Sequence, residues 1–358
     1  MYRWSHQAND PAPIAKTSMI PLSAPSMKTD HWQQQLAGAF NCVEDLLSFL
    51  DLKACQEPGM AAADNDFSIR VTHFFASLME KGNIDDPLLR QVLPLGAEME
   101  NTPGFSTDPL SDQSAHTGYG MLHKYHGRVL LITTGACAIN CRYCFRRHFP
   151  YADNQVTPSQ WQSLVGQLHR DRTVSEVILS GGDPLSLANG RLHTLIEDLQ
   201  DIPHLRRLRI HSRLPVVLPD RLDSTLLDIL ADCRLSASLV LHINHPREIS
   251  TELTQALLPL RHLGIPLLNQ AVLLKGINDR AHIQIALSEE LFEAGILPYY
   301  LHQLDLVRGA AHFAVDDQEA AALYTLMQAR LPGYLLPRLV REIPGAQSKT
   351  TLPVSQNR

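Results

Sequence analysis

The sequence predicts an α/β protein: an incomplete (β/α)6 TIM-like barrel behind a mainly helical N-terminal extension. Three observations lead there. From about residue 128 onward, short apolar runs rich in β-branched residues alternate with longer helical patterns. Successive runs start about 27 to 50 residues apart, the size of one βα unit, which implies parallel strands. No GxGxxG follows any of these runs, which argues against a dinucleotide-binding Rossmann sheet.

Residues 1–29 are rich in Pro, Ser, Ala and Met without periodicity and predict a mobile tail. Region 30–115 reads as helical. Leu36, Phe40, Val43, Leu46, Leu47 and Leu50 recur at helical spacing between His31 and Leu52, and a second such stretch runs from Ile69 to Met79. Pro103, Gly104 and Pro109 make Thr102 to Ser114 an irregular connection. The barrel core is expected over 116–310, with strands at Val129–Thr134, Val177–Ser180, Leu208–His211, Leu239–Ile243, Pro266–Leu274 and Leu297–Leu301. Helices are expected between them at Pro158–Arg170, Arg191–Asp201, Leu222–Asp232, Thr251–Leu263 and Ala281–Ala294. Residues 311–358 form a C-terminal segment.

Composition narrows the function. With 358 residues the chain can bury a full core without staples. Its net charge of -6 argues against nucleic acid as a partner. The longest apolar run, Ala320 to Tyr324, is far short of the roughly 20 residues a membrane span needs. Arg3, Lys16 and Lys28 are not followed by the apolar stretch of a secretory signal, so a cytoplasmic protein is expected. In that reducing compartment Cys42, Cys55 and Cys233 read as small buried hydrophobes.

Cys137, Cys141 and Cys144 are different, because they fall within eight residues as CxxxCxxC. The spacing suits three irons of a 4Fe-4S cube, leaving the fourth iron open to a small molecule. A structural zinc completed by His148 is the alternative. Barrel enzymes place their chemistry at the C-terminal ends of the strands, and the unusual residues gather there. They are the cysteine loop, Ser180-Gly181-Gly182-Asp183, His242 to His245, Gln270, and His302 to Asp305. Glycines at 181 and 182 permit close backbone approach, and Asp183 offers a carboxylate to an ammonium, although Gly-Gly-Asp-Pro is also a common turn. His242 and His245, three apart, would point to opposite faces of a strand and share no metal. Arg146 could bind a carboxylate bidentately. Lys349, nine residues from the end, would by default be mobile and exposed.

CAINCRYC resembles the CxxxCxΦC signature of radical S-adenosylmethionine (SAM) enzymes, with Tyr143 at the aromatic position. Together with YHGRVLL, LSGGDPL, HINHP, PLLNQAVLLKGIND, PYYLHQLD and a C-terminal PGxxxK, it resembles the lysine 2,3-aminomutases over about residues 65 to 350. CFRRHFPY and Ser348-Lys349-Thr350 are typical of the short bacterial form that supports β-lysylation of elongation factor P. The resemblance implies a partial barrel of the radical SAM type and conversion of α-lysine to β-lysine. It implies that Cys137, Cys141 and Cys144 hold a 4Fe-4S cluster, whose free iron takes SAM. Gly181, Gly182 and Asp183 would receive the SAM amino group, with His242 and Gln270 on its nucleoside, and Ser180 and Tyr143 would belong to the same cofactor-binding set. Lys349 matches the lysine that holds pyridoxal 5'-phosphate (PLP), and Tyr125 and Arg128 match residues that seat it. Arg146 matches the binder of the substrate carboxylate, and Asp305 and Glu342 match two acids that receive its distal ammonium. Glu342 departs from the longer aminomutases, which use aspartate there. The implied partners are L-lysine, an electron donor such as a flavodoxin or ferredoxin, and elongation factor P with its lysine ligase. The competing expectations are an aminomutase for glutamate or arginine, and a non-catalytic iron-sulfur or zinc protein. Glutamate would call for a cation where Asp305 and Glu342 stand.

Overall fold

The computed structural model describes residues 31–53, 59–112, 120–151 and 156–352. The predicted tail, Cys55 and the end of the predicted irregular connection lie outside the described residues. The first helices are α1 (His31–Ala37), α2 (Val43–Phe49), α3 (Met60–Asp66) and α4 (His73–Ser77). They are shorter than the periodicity predicts, because Phe40 and Val71 exchange backbone hydrogen bonds at 2.7 and 3.0 Å. That pairing breaks the first helical stretch at Gly38 and forces the start of the second into extended backbone.

A hairpin opens the sheet. β1 (Met121–Tyr125) and β2 (Arg128–Thr134) are antiparallel, with Tyr125 opposite Arg128 across a two-residue turn. Gly127 takes a φ of 74° there, which a side chain would resist. Then follow α5 (Pro158–Arg170), β3 (Glu176–Gly181), α6 (Asn189–Gln200), β4 (Arg207–Ser212), the single turn α7 (Leu214–Val217), α8 (Ser224–Ala231) and β5 (Ser236–Leu241). The chain continues through α9 (Thr251–His262), β6 (Leu267–Val272), α10 (Ala281–Glu293), β7 (Leu297–His302), α11 (Asp317–Arg330) and β8 (Arg338–Arg341) to β9 (Thr350–Thr351).

The strand order follows the chain from β1 to β9, and β2 to β8 are all parallel. Crossovers between neighbouring parallel strands are right-handed, so an order without reversal puts every helix on one face. The other face is left to enclose a site. This is a sheet wound one way, as in a barrel, and it does not close: β1 and β9 pair antiparallel at its edges. The predicted six βα units are present, and the sixth crossover, through α11, delivers a seventh parallel strand from the predicted C-terminal segment. Covered on both faces, β3 is buried at all six positions.

Polar caps mark the helix starts. Thr157 and Gln160 form a reciprocal capping box on α5, and Asp223, Ser250 and Asp316 accept backbone N–H groups at the starts of α8, α9 and α11. One apolar cluster includes Trp32 of α1, Leu179 of β3, Leu339 of β8 and Leu352. A smaller one, with Tyr143, Leu304, Val307 and Phe313, lies beneath the cysteine loop.

The N-terminal helical region clamps that loop. Asn140 N donates to Arg70 O at 3.0 Å and Arg142 N to Gln91 O at 2.9 Å. The Arg142 guanidinium grips Glu98 through Nε at 2.8 Å and a terminal nitrogen at 2.6 Å, and Arg147 reaches the same carboxylate at 2.8 Å. All three side chains are fully buried. Two buried guanidiniums sharing one carboxylate have no solvent to fall back on. Glu98→Gln is therefore expected to cost about 3–5 kcal/mol, read as a lower urea midpoint at unchanged slope. An unchanged midpoint would show that the pairs do not hold the loop.

Candidate active site

The site is assembled at the C-terminal ends of the parallel strands. After β2 the chain turns through Cys137, Cys141 and Cys144, all half-buried, with Cys144 N donating to Cys141 O at 3.0 Å. The end of β3 lies against this loop. Gly182 N donates to Thr134 O at 2.7 Å and Asp183 N to Ala136 O at 2.8 Å. A Cβ on Gly181 would stand 2.4 Å from Thr134 O, and one on Gly182 2.4 Å from Ala136 O. Only glycine fits at either position.

Burial first, and then the neighbouring Cys144, Asp183 and Cys141, push the Cys137 thiol well above its usual range. Burial and Cys141 push Cys144 up to about 11. Thiols gathered this closely suit a cationic cluster, whose irons replace the protons. His148 Nε2 is engaged with Arg308 O at 3.1 Å. Among the described residues no three His, Cys, Asp or Glu side chains are grouped to hold a single metal ion. The three cysteines of the loop are an all-thiol donor set, which suits an iron-sulfur group.

Asp183 has a different duty from the one its position suggests. Its Oδ1 accepts from Leu185 N at 3.0 Å and Ser212 Oγ at 2.7 Å, and its Oδ2 from Arg213 N at 2.8 Å and Leu214 N at 2.9 Å. Both oxygens are filled, so this carboxylate pins the turn after β4 and is not open to a SAM ammonium. Ser180 Oγ lies 3.3 Å from a terminal nitrogen of Arg146.

Further round the mouth, Gln270 on β6 joins His242, just past β5, and lies 3.4 Å from His211 on β4. Burial lowers the basicity of His211 and His302 far below the ordinary range and that of His242 to about 3, helped by the Lys349 ammonium. These rings are neutral at physiological pH. His245 faces elsewhere. It caps the turn 246–248, its Nδ1 accepting from Arg247 N at 3.2 Å.

A row of alternating charges crosses the mouth. Arg146 Nε donates to Asp112 Oδ2 at 2.8 Å, and Lys124 Nζ stands 2.5 Å from Asp112 Oδ1 and 3.3 Å from Glu342 Oε1. Lys349 Nζ donates to Glu342 Oε2 at 2.6 Å and stands 5.7 Å from the centroid of Tyr300. The lysine is not a frayed end: β9, directly after it, pairs with β8 and folds it into the mouth. Tyr125 and Arg128 flank the hairpin turn, with the guanidinium 4.9 Å from the ring centroid. Burial and then Glu342 raise the Tyr125 hydroxyl well above its usual range.

The two acids expected for the ammonium are pushed apart. The ammoniums of Lys349 and Lys124 overcome burial and draw Glu342 down to about 2. Burial and the adjacent Glu342 push Asp305 up to about 7. Sequence reasoning missed Asp112, Lys124, His211 and Arg213, whereas His302 was among the strand-end residues it singled out. Of the missed ones only Arg213 and His211 carried a signal, being polar residues at strand ends.

A parallel barrel sheet with a three-cysteine loop after its first parallel strand and a glycine-rich end on the next defines a radical SAM enzyme. The sequence pattern of the Radical SAM superfamily matches residues 131–287. The L-lysine 2,3-aminomutase of Escherichia coli K12 is 47% identical over 336 residues, 93% of this chain and 97% of that one. That of Haemophilus influenzae is 45% identical over 332 residues, covering 93% and 98%. The L-lysine 2,3-aminomutase of Clostridium subterminale is 33% identical over 327 residues, covering 91% and 78%. The chain belongs to the L-lysine 2,3-aminomutase family, which is a family of isomerases.

Asp305 has a raised carboxyl in the fold, so the folded protein holds a proton there that the unfolded chain releases near its ordinary 3.8. Stability falls as pH rises from about 4 to about 7, and the penalty is complete above that window. Asp305→Asn, neutral in both states, is expected to raise Tm by about a few degrees at pH 8, with the gain fading toward pH 4. A gain independent of pH in thermal scans would contradict the assigned cause.

Proposed function

We propose that the chain is a radical SAM, PLP-dependent L-lysine 2,3-aminomutase that converts α-lysine to β-lysine for modification of elongation factor P. The observation that carries the substrate is Asp305: a carboxyl recessed beside Glu342, with no ion-pair partner among the described residues. An incoming ammonium supplies what it lacks. Glutamate offers no such cation. The relatives' shared name supports the reaction, and the resemblance of CFRRHFPY to the short bacterial form supports the elongation factor link.

When bound, the cluster with SAM supplies a carbon radical able to take a β-hydrogen that no side chain is basic enough to remove, and PLP supplies a π-bond across which nitrogen can move. The chain's own residues bind and orient. Cys137, Cys141 and Cys144 hold the cluster, and the backbone of Ser180, Gly181 and Gly182, with Tyr143, His242 and Gln270, lines the SAM pocket. Asp183 shapes that pocket through the turn it pins. Neutral His242 can accept or donate a hydrogen bond without adding charge. Lys349 holds PLP, and Tyr125 and Arg128 seat it.

Arg146 takes the substrate carboxylate. Asp112 engages only its Nε edge and fixes the orientation of the terminal fork. Asp305 and Glu342 take the distal ammonium. Lys349, which would hold PLP, and Lys124 are the two cations that Glu342 faces, and the distal ammonium of the substrate would stand beside them next to Asp305. A flavodoxin or ferredoxin class donor supplies the electron.

Asp305→Asn keeps shape and removes charge, and should lower kcat/KM for lysine by about 10²-fold, on the order of 3 kcal/mol for breaking a buried charged pair. In the wild type kcat/KM should rise with pH through about 7 as Asp305 ionises, and the variant should lose that rise. Anaerobic assays with SAM, dithionite and L-lysine, with chiral product analysis, read both. Turnover within a factor of three of wild type would remove the support for lysine. Separately, Lys349→Ala should abolish the borohydride-reducible PLP adduct while iron content stays unchanged. A retained adduct at another lysine would refute the assignment of Lys349.

A further inference from the structure

Beneath the cysteine loop lies a buried polar network that the roles above do not use. Arg213, in the turn after β4, points a terminal nitrogen at Cys141 Sγ, 2.7 Å away, and the same nitrogen donates to Tyr143 Oη at 2.5 Å. Its other terminal nitrogen donates to Gln91 Oε1 at 2.7 Å and Glu248 Oε2 at 3.0 Å. Glu248 is itself saturated: its Oε1 accepts from Gln91 Nε2 at 3.0 Å, Asn244 N at 3.0 Å and His245 N at 3.1 Å. Asn244 Nδ2 closes the ring to Tyr143 Oη at 2.6 Å. The backbone N–H of Arg213 is held by Asp183.

This is a guanidinium held by four partners, with one donor directed at a sulfur. A surface arginine would be screened and mobile; this one is 6% exposed, so its charge acts on Cys141 with little screening. We propose that Arg213 tunes the iron-sulfur cluster, donating to the Cys141 thiolate and so favouring the reduced state, with Glu248 and Asp183 as its supports. The inference rests on the reading that the three cysteines hold the cluster. In the step concerned, a low-potential one-electron donor is oxidised and the cluster is reduced from its 2+ to its 1+ state. No bond is made or broken and no proton moves, since arginine stays charged throughout. The added electron density falls on the irons and their sulfurs, where an N–H donor and a fixed positive charge stabilise it. Arg213 is a positioning residue, acting through Cys141.

The test is an anaerobic redox titration of the reconstituted full-length protein, followed by electron paramagnetic resonance of the reduced cluster, with iron content measured in parallel. Arg213→Gln should keep four irons and lower the reduced-to-oxidised ratio at fixed donor potential at least tenfold, a shift of 59 mV for one electron. Arg213→Lys, which keeps the charge but not the fork, should shift the same way by less. It is the variant read if Arg213→Gln fails to hold the cluster. A merely structural arginine would move Tm and leave the potential in place. A midpoint equal to wild type in whichever variant holds four irons overturns the inference. Wild-type protein that takes up no cluster overturns the cysteine assignment, and with it the proposal.

Discussion

The close contact between the end of β3 and the cysteine loop is the constraint on which the site depends. Gly181 and Gly182 sit so near the carbonyls of Thr134 and Ala136 that no side chain fits. Two backbone hydrogen bonds tie the segments together, and the same approach delivers Asp183 to the turn after β4. That carboxylate orders the backbone of Arg213, whose side chain reaches back to Cys141. Loop, strand end and turn thus form a closed circuit. A Cβ at either glycine would displace the cysteines and Arg213 together.

The mouth is organised by a second constraint, charge alternation. From Arg146 through Asp112, Lys124 and Glu342 to Lys349, each charge has an opposite neighbour, which lets five ionised groups persist where water is scarce. Asp305 stands beside the row with no ion-pair partner among the described residues, and burial and then its neighbour Glu342 oppose its ionisation more than the more distant Lys349 and Lys124 favour it. Two acids close together with carboxyls displaced in opposite directions are a usual sign of divided labour. Glu342 is already paired with two lysines, and on the proposed reading Asp305 is the acid left for a ligand.

Much of this was legible beforehand, and the parts that were not share a cause. The six predicted strands were found from short apolar runs at βα spacing, continuous in β3 and alternating with polar residues in β4. β8 was missed because only Leu339 and Val340 of its four residues are buried apolar positions between two arginines. β1 carries His123 and Lys124 and reads as loop, since its far edge faces no further strand. The cysteines stood out because local spacing alone singles them out. Asp112, Lys124 and Glu98 were invisible, because a charged residue signals burial only through a partner, and their partners lie 12 or more positions away in sequence. Asp183 was visible for its position but misleading as to role, since a carboxylate after two glycines looks the same whether it awaits a ligand or caps a turn.

The helical N-terminal region looks dispensable in sequence, lying outside the matched superfamily pattern at 131–287. Its contacts say otherwise. Glu98 neutralises Arg142 and Arg147 under the cluster loop, Gln91 accepts from Arg213, and Asp112 anchors Arg146. Among the described residues the carboxylates paired with Arg142, Arg147 and Arg146 are Glu98, Asp66 and Asp112, all from this region, while Arg213 keeps Glu248 of the barrel as its countercharge. A barrel shorn of this region would leave three guanidiniums buried or half-covered without their countercharges, and a buried unpaired charge is penalised by several kcal/mol. The extension therefore belongs to the active site electrostatically, and the unit that can bind a cluster runs from the helices through β9.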